Sequence, residues 1–341
     1  MRANGKTLDV AVVGATGVVG EAIVRVLAER AVPIGVLAAF ASRERRAAVA
    51  FGNAMLDVRA TSEEALQGFD VVFFASGEDA SERYAPALVA RGSVVIDNSA
   101  TFRMRDGVPL IVPEINADVV SSEHRLFPVA NCTAIVLCAA LAPVRDVAGL
   151  ATVRVATYQA SSGAGRAGLD EFLAGEAAVA SGGAEPEALI FGRPLARNVI
   201  PQIGSFDAVG YSGEENKVRE ETRKMLGLPE LRVSATTVRV PVRTAHSEAV
   251  WFETQRATSV AELEAAFERA PGIVFHRDGI VTPREVEGTD RVHVARLRDE
   301  DPSDADAGRR FVLWCVGDQL RKGAATNAVQ ILELLLAKGY V

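Results

Sequence analysis

The sequence predicts an α/β fold: a doubly wound parallel sheet joined to a second, α+β domain. Three observations carry this reading. A β-branched run, LDVAVV, leads directly into glycines and then the helix-like EAIVRVLAER. The same strand–helix alternation repeats as far as SVVIDNS. Beyond Cys132 the texture changes to longer alternating strands. At about 150 residues per domain, a chain of 341 residues makes two domains.

After the first strand, GVLAAFAS reads as a second buried strand and DVVFFAS as a third. DASERYAPALVARG follows as a helix closed by glycine, and SVVIDNS as another strand. Apolar strands separated by amphipathic helices imply a parallel sheet covered on both faces. In the second half, LRVSATTVRVPV and AVWFETQ alternate as half-buried strands, and EENKVREETRKML reads as a helix. RVHVARLRDE and RRFVLWCVGD are strands joined by DPSDADAG, a composition that suits an exposed antiparallel connection. AATNAVQILELLLAKG closes the chain as an amphipathic helix, and GEAAVASGGAEPEA reads as a helix end plus surface loop.

Composition narrows the function. The chain is 49% hydrophobic and 24% charged, so it can bury a large core. Its net charge of -7 opposes binding to phosphate backbones or anionic lipid, and nucleic acid is not an expected partner. Cys132, Cys138 and Cys315 are too scattered for a disulfide framework or a CxxC metal clip, so no metal is expected and the compartment reads as reducing. Arg2 and Lys6 precede an apolar run, but Asp9, the glycines and Glu21 spoil a signal peptide, and a cytoplasmic protein is expected. The longest apolar run, TAIVLCAALAPV, is shorter than the ~18 to 20 residues of a membrane span.

GATGVVG sets Gly14, Gly17 and Gly20 between the first strand and the first helix, with Thr16 and Val18 among them. There backbone amides and the helix dipole can face a pyrophosphate, the arrangement of a Rossmann-type dinucleotide site. The spacing is GxxGxxG, so a packing turn is the alternative. At the ribose position, Ser42 and Arg43 stand where NAD binders carry an acid, which points to NADP. Glu44 beside them weighs against it, and with Arg45 and Arg46 they also read as a solvated charge cluster. Short-chain dehydrogenase chemistry needs a Tyr with Lys four residues on. Tyr84, Tyr158 and Tyr211 are followed there by Leu88, Ser162 and Glu215.

Asn131, Cys132 and Thr133 precede the helix-like AIVLCAAL, which places the Cys132 sulfur at a helix N-terminus where a thiolate is stabilised. Cys138 and Cys315 read as buried residues. His246 follows RVPV in RVPVRTAHSE, at a strand end where a base can be presented, although a lone histidine is more often structural. His124, His276 and His293 have no motif around them. Gln159 in YQASSGAG is followed by small residues, and its glycines also read as a plain turn. Glu214 and Lys217 are three apart on one helix, which reads by itself as an exposed ion pair. Arg239 and His246 flank a turn at Pro241, and Arg103 in DNSATFRM follows a strand's carboxyl end, where open sheets bind ligands.

Taken in order, GATGVVG, DNSATFRM, NCT, YQASSGAG, NVIPQIGSF, EENKVREETRKML, RVPVRTAHSE and LRKGAATNA resemble the aspartate-semialdehyde dehydrogenase family along nearly the whole chain. The resemblance implies that Cys132 is the nucleophile, Gln159 orients the intermediate and His246 is the acid/base. Arg103 and Lys217 would receive phosphate, Glu214 the substrate amino group and Arg239 its carboxylate. Gly14, Thr16, Gly17, Val18, Ser42, Arg43, Ser162 and Gly163 would bind NADP. It further implies an NADP domain at 1–131 plus 322–341, a catalytic and dimerisation domain at 132–321, and a homodimer. The implied reaction interconverts L-aspartate 4-semialdehyde, phosphate and NADP with 4-phospho-L-aspartate and NADPH through a cysteine thioester. That reaction serves biosynthesis of lysine, methionine, threonine, isoleucine and diaminopimelate.

The departures are an altered cofactor loop, ASRERRAAV, Ala134 after NCT, FPVA before it, and Ala245 in place of a glycine, which shifts the histidine strand slightly. Two other readings stay open. N-acetyl-glutamyl-phosphate reductase shares the architecture, but its cysteine lies between a glycine and Tyr-Pro. A non-catalytic paralogue acting as a binding or scaffold protein would have lost the nucleophile.

Overall fold

A computed structural model of the chain describes residues 7–43, 48–303 and 308–341. Arg2, Lys6, Glu44, Arg45, Arg46 and the middle of the 301–308 connection lie outside the described residues. The chain divides into two compact units, Met1–Ala130 with Ala324–Val341, and Asn131–Gly323.

In the first unit, β1 (Leu8–Val13), α1 (Val18–Glu29) and β2 (Ile34–Ala41) open the fold. There follow β3 (Ala48–Phe51), β4 (Ala54–Ala60), β5 (Val71–Phe74), α2 (Glu78–Ala90), β6 (Val94–Asp97), α3 (Pro113–Asn116) and β7 (Leu126–Pro128). The sheet order is β3-β4-β2-β1-β5-β6-β7. Every pairing is parallel except β3 with β4. That antiparallel edge hairpin departs from the uniformly parallel sheet the sequence suggests. The alanine-rich AVAF and AMLDVRA carry too little apolar contrast to announce it. Phe40, Leu66, Phe74, Leu88 and Phe102 fill the core against β1.

The second unit begins with α4 (Cys132–Ala148), β8 (Thr152–Gln159), α5 (Gly165–Ser181) and α6 (Gly213–Leu226). It continues through β9 (Arg232–Arg239), β10 (His246–Glu253), α7 (Val260–Arg269), β11 (Ile273–His276), α8 (Pro283–Val286), β12 (Val292–Asp299) and β13 (Arg310–Gly317). Its sheet order is β11-β12-β13-β10-β8-β9, with parallel and antiparallel pairs mixed. β9 stops at Arg239, so Val240, Pro241 and Val242 of the expected longer strand form the turn into β10. The apolar α4 packs against this sheet, flanked by α6 and α7.

The last helix, α9 (Thr326–Lys338), returns to the first unit. Glu333 forms a bidentate pair with Arg30 just past α1, at 2.9 and 2.7 Å. Asn327 Nδ2 donates to Ile111 O at 2.9 Å, and Gln330 Nε2 to Glu114 Oε1 at 2.8 Å. Among the described residues no helix is long and apolar enough to cross a membrane, and no group of three or more His, Cys, Asp and Glu side chains could hold a metal ion.

Candidate active site

Cys132 is the first residue of α4, half-buried, and Asn131 is the helix cap. The cap oxygen Asn131 Oδ1 accepts from Thr133 N and Ala134 N, both at 3.0 Å. Two of the helix's orphan amides are thereby satisfied, and Cys132 stands in the first turn, at the positive end of the helix dipole. Asn131 Nδ2 donates to Glu214 Oε1 at 2.9 Å, Gln159 Nε2 to the same oxygen at 3.1 Å and Thr133 Oγ1 at 3.5 Å. Glu214 is therefore a buried hub, not the exposed partner of Lys217 that helical spacing alone suggests. Lys217 is exposed one turn along α6. α6 is set by the capping box of Ser212 and Glu215, and Glu215 Oε1 also takes Thr237 N–H from β9 at 3.0 Å.

Gln159 ends β8 with its Oε1 accepting from Thr157 Oγ1 at 3.0 Å. Arg239 ends the neighbouring β9, 5% exposed. Its Nη1 donates to Ala160 O at 2.6 Å and its guanidinium lies over the Phe191 ring. Burial pulls this guanidinium below its ordinary pKa, while Glu214 and Cys132 push it back up. His246 opens β10, fully buried. Its Nδ1 accepts the Ala160 backbone N–H at 3.1 Å, so the neutral ring carries its hydrogen on Nε2. Burial, reinforced by Arg239, holds the imidazole well below its ordinary pKa. Gly163 lies against both groups: a Cβ there would meet Arg239 Nη1 at 2.9 Å and His246 Nε2 at 3.2 Å. Arg239 and Gly163 also border a cavity of about 650 Å³ lined by Phe191, Ile200 and Ile203.

The Ser162 hydroxyl donates to Arg243 O and accepts from Gln319 Nε2, both at 2.5 Å. Gln319 Oε1 in turn accepts Ala245 N–H at 2.6 Å. Ala245 is buried with φ +70°, the left-handed conformation that glycine adopts without strain. Glu221, whose Oε2 accepts Asn131 N–H at 2.5 Å, and Gly323 lie within EENKVREETRKML and LRKGAATNA but are not among the expected site residues. Gly323 sits in a π-helical turn over Arg321–Ala325, against Cys132. Both act on residues remote in sequence, so their local pattern does not show the role.

The first unit holds the remaining expected residues. Gly14 has φ +83°, and a Cβ on it would stand 2.6 Å from Ala75 O, while a Cβ on Gly20 would collide with Gly14 O. Gly17 caps α1 with no side-chain hydrogen bond, so the first-turn amides beyond Thr16, from Val18 onward, remain open to an anion. This glycine-lined helix mouth fits a dinucleotide pyrophosphate. Ser42 and Arg43 are exposed just past β2. Arg103 is buried after β6, donating from Nη2 to Asn98 O at 3.0 Å. Its loop is built on Asp97, which accepts from Ser81 Oγ, Ser99 N and Ser99 Oγ at 2.7 to 2.9 Å.

Comparison with known proteins agrees with this architecture. Residues 9–123 match the family described as semialdehyde dehydrogenase, NAD binding domain, and residues 141–322 match semialdehyde dehydrogenase, dimerisation domain. The chain is 38% identical to the aspartate-semialdehyde dehydrogenase of Aquifex aeolicus over 97% of this chain and 99% of that one. It is likewise 38% identical to that of Bacillus subtilis over 97% and 98%. The crystal structure of aspartate semialdehyde dehydrogenase II from Vibrio cholerae superposes with a TM-score of 0.91 at 36% identity, covering 97% of this chain and 99% of that one. Sequence, domain pairing and fold thus agree over nearly the full length, and the chain belongs to the aspartate-semialdehyde dehydrogenase family.

Proposed function

We propose that the protein is an NADP-dependent aspartate-semialdehyde dehydrogenase that works through a thioester on Cys132. The observation that carries the proposal is the cluster around Glu214, where one buried carboxylate ties the cap of the Cys132 helix to Gln159. Arg239 shares the electrostatic environment of Glu214, Cys132 and His246.

In this scheme the Cys132 thiolate adds to the aldehyde carbon and the carbonyl oxygen becomes an alkoxide. His246, the acid/base residue, starts as a donor: Nε2–H is offered to that oxygen, a form of stabilisation typically worth ~10² to 10³ in rate. Gln159, held by Thr157 and Glu214, fixes the adduct's orientation. Among the described residues the side-chain hydrogen bonds of Glu214 run to Oε1, so Oε2 takes the substrate ammonium, while Arg239 grips the carboxylate. Gly14, Thr16, Gly17 and Val18, with Ser42 and Arg43 at the ribose and with Ser162 and Gly163, would hold NADP, which would supply the hydride acceptor that the conversion of the adduct to a thioester needs. Hydrogen phosphate, bound by Arg103 and Lys217, then attacks the thioester carbon. It releases the Cys132 thiolate and a proton, and the product is 4-phospho-L-aspartate.

Preference for NADP rests on Arg43, a cation suited to a 2'-phosphate. A homodimer rests on the match of residues 141–322 to a dimerisation domain. The reverse, reductive direction would serve amino-acid biosynthesis in the cytoplasm. The test is absorbance at the reduced-nicotinamide band with aspartate semialdehyde, phosphate and either NADP or NAD. A phosphate-dependent rise that vanishes in Cys132→Ala is expected. No rise from folded protein, or wild-type turnover by Cys132→Ala, sinks the reading.

A further inference from the structure

The residue that caps the Cys132 helix is gripped twice by one other helix. Asn131 gives its side-chain Nδ2 to Glu214 and its backbone N–H to Glu221 Oε2, at 2.9 and 2.5 Å. Glu214 and Glu221 stand seven residues apart on α6, two turns along one face. Both carboxylates are buried, Glu221 at 1% exposure. Burying a carboxylate is costly unless a specific bond repays it, and a backbone N–H at this distance is such a bond.

The two grips differ in what else they must do. Glu214 Oε1 takes three donors, more than the two lone pairs of a carboxylate oxygen favour. Under the function proposed above, Glu214 also receives a charged group of the substrate, so the carboxylate that holds the Asn131 side chain must serve the substrate as well. Glu221 holds a main-chain group that no rotamer change of Asn131 can withdraw.

We propose that Glu221 is a positioning residue for the nucleophile: its carboxylate pins the Asn131 backbone, keeping Cys132 aligned while Glu214 takes on the substrate's charge. This inference rests on Cys132 being the nucleophile. It separates reach from charge as the property that matters at position 221. Glu221→Gln keeps an oxygen at the same reach without the charge, whereas Glu221→Asp keeps the charge but falls one methylene short.

The experiment compares both variants with wild type for kcat, for KM of the semialdehyde and for the alkylation rate of Cys132 by iodoacetamide, located by mass spectrometry. Glu221→Asp is expected to lose about 10- to 100-fold in kcat, the scale of a small misplacement of reacting groups, with little change in KM. It should also alkylate more slowly. Glu221→Gln should stay near wild type in kcat and should not alkylate more slowly. Equal losses in the two variants, a loss confined to KM, or two variants indistinguishable from wild type would each overturn the proposal. Should wild type itself fail to turn over the semialdehyde, the functional reading fails. The alkylation rates then decide on Glu221 alone: slowing in Asp but not in Gln upholds it, and equal rates overturn it.

Discussion

A Cβ placed on Gly323 would stand 2.9 Å from the Cβ of Cys132 and 3.4 Å from its carbonyl oxygen. The π-helical turn after β13 therefore closes on the start of α4 with no room for a methyl group. Gly323→Ala is expected to displace Cys132 and lower kcat at least tenfold, a loss typical of sub-ångström to ångström misplacement. The crowding should also lower stability by about 1 to 3 kcal/mol. Steady-state kinetics with urea unfolding checks both, and an active, equally stable variant would show that the turn yields freely.

Arg239→Leu removes a buried fork that donates to Ala160 O and lies over Phe191. If this arginine receives the substrate carboxylate, KM for the semialdehyde should rise on the order of 100-fold, about 3 kcal/mol for a lost charge-assisted contact. KM for phosphate should change little. Equal rises for both substrates would remove Arg239 from its assigned role.

Ala245, at φ +70°, occupies backbone space that costs an L-residue about 1 to 2 kcal/mol. Glycine relieves that strain but gives up some of it through unfolded-chain entropy. Ala245→Gly is expected to stabilise the protein by about 0.5 to 1 kcal/mol in chemical denaturation. A destabilised variant would mean that the buried methyl group matters more than the strain.

Glu248 is fully buried on β10, and burial raises its carboxyl well above the usual range. In the native state it stays protonated while the unfolded chain ionises, so the unfolded chain holds fewer protons. Stability is then lost as pH rises above the ordinary carboxyl value, by up to about 1.4 kcal/mol per pH unit. His246 acts oppositely. Its lowered native pKa costs stability as pH falls below the ordinary imidazole value. In Glu248→Gln the alkaline-side loss should disappear and the acid-side loss remain. Urea titrations from pH 5 to pH 8 that run parallel for wild type and variant would contradict this.

The sequence carries some of this architecture in plain view. LDVAVV followed by glycines yields β1 and the mouth of α1, because a buried strand needs an uninterrupted apolar run and a tight turn needs glycine. Asn131 before an apolar run marks the start of α4, because Asn is a strong cap. The β3–β4 hairpin left no trace, since its alternation is diluted by alanine. The burial of Glu214 was hidden for a different reason. Spacing assigns it to a helix face, but only the packing of α4 on α6 makes that face interior. Glu221 meets Asn131 across 90 residues of chain, and no window along the sequence contains both.

The return of α9 to the first unit has a consequence for how the molecule is made. Residues 324–341 supply Glu333, Asn327 and Gln330 to partners at Arg30, Ile111 and Glu114 of the first unit. On the ribosome, the opening 130 residues emerge long before that helix exists, and the intervening unit can complete itself first. The first unit is therefore sealed only after the second has been made. Until α9 emerges, the surface it covers on the first unit has no partner from this segment.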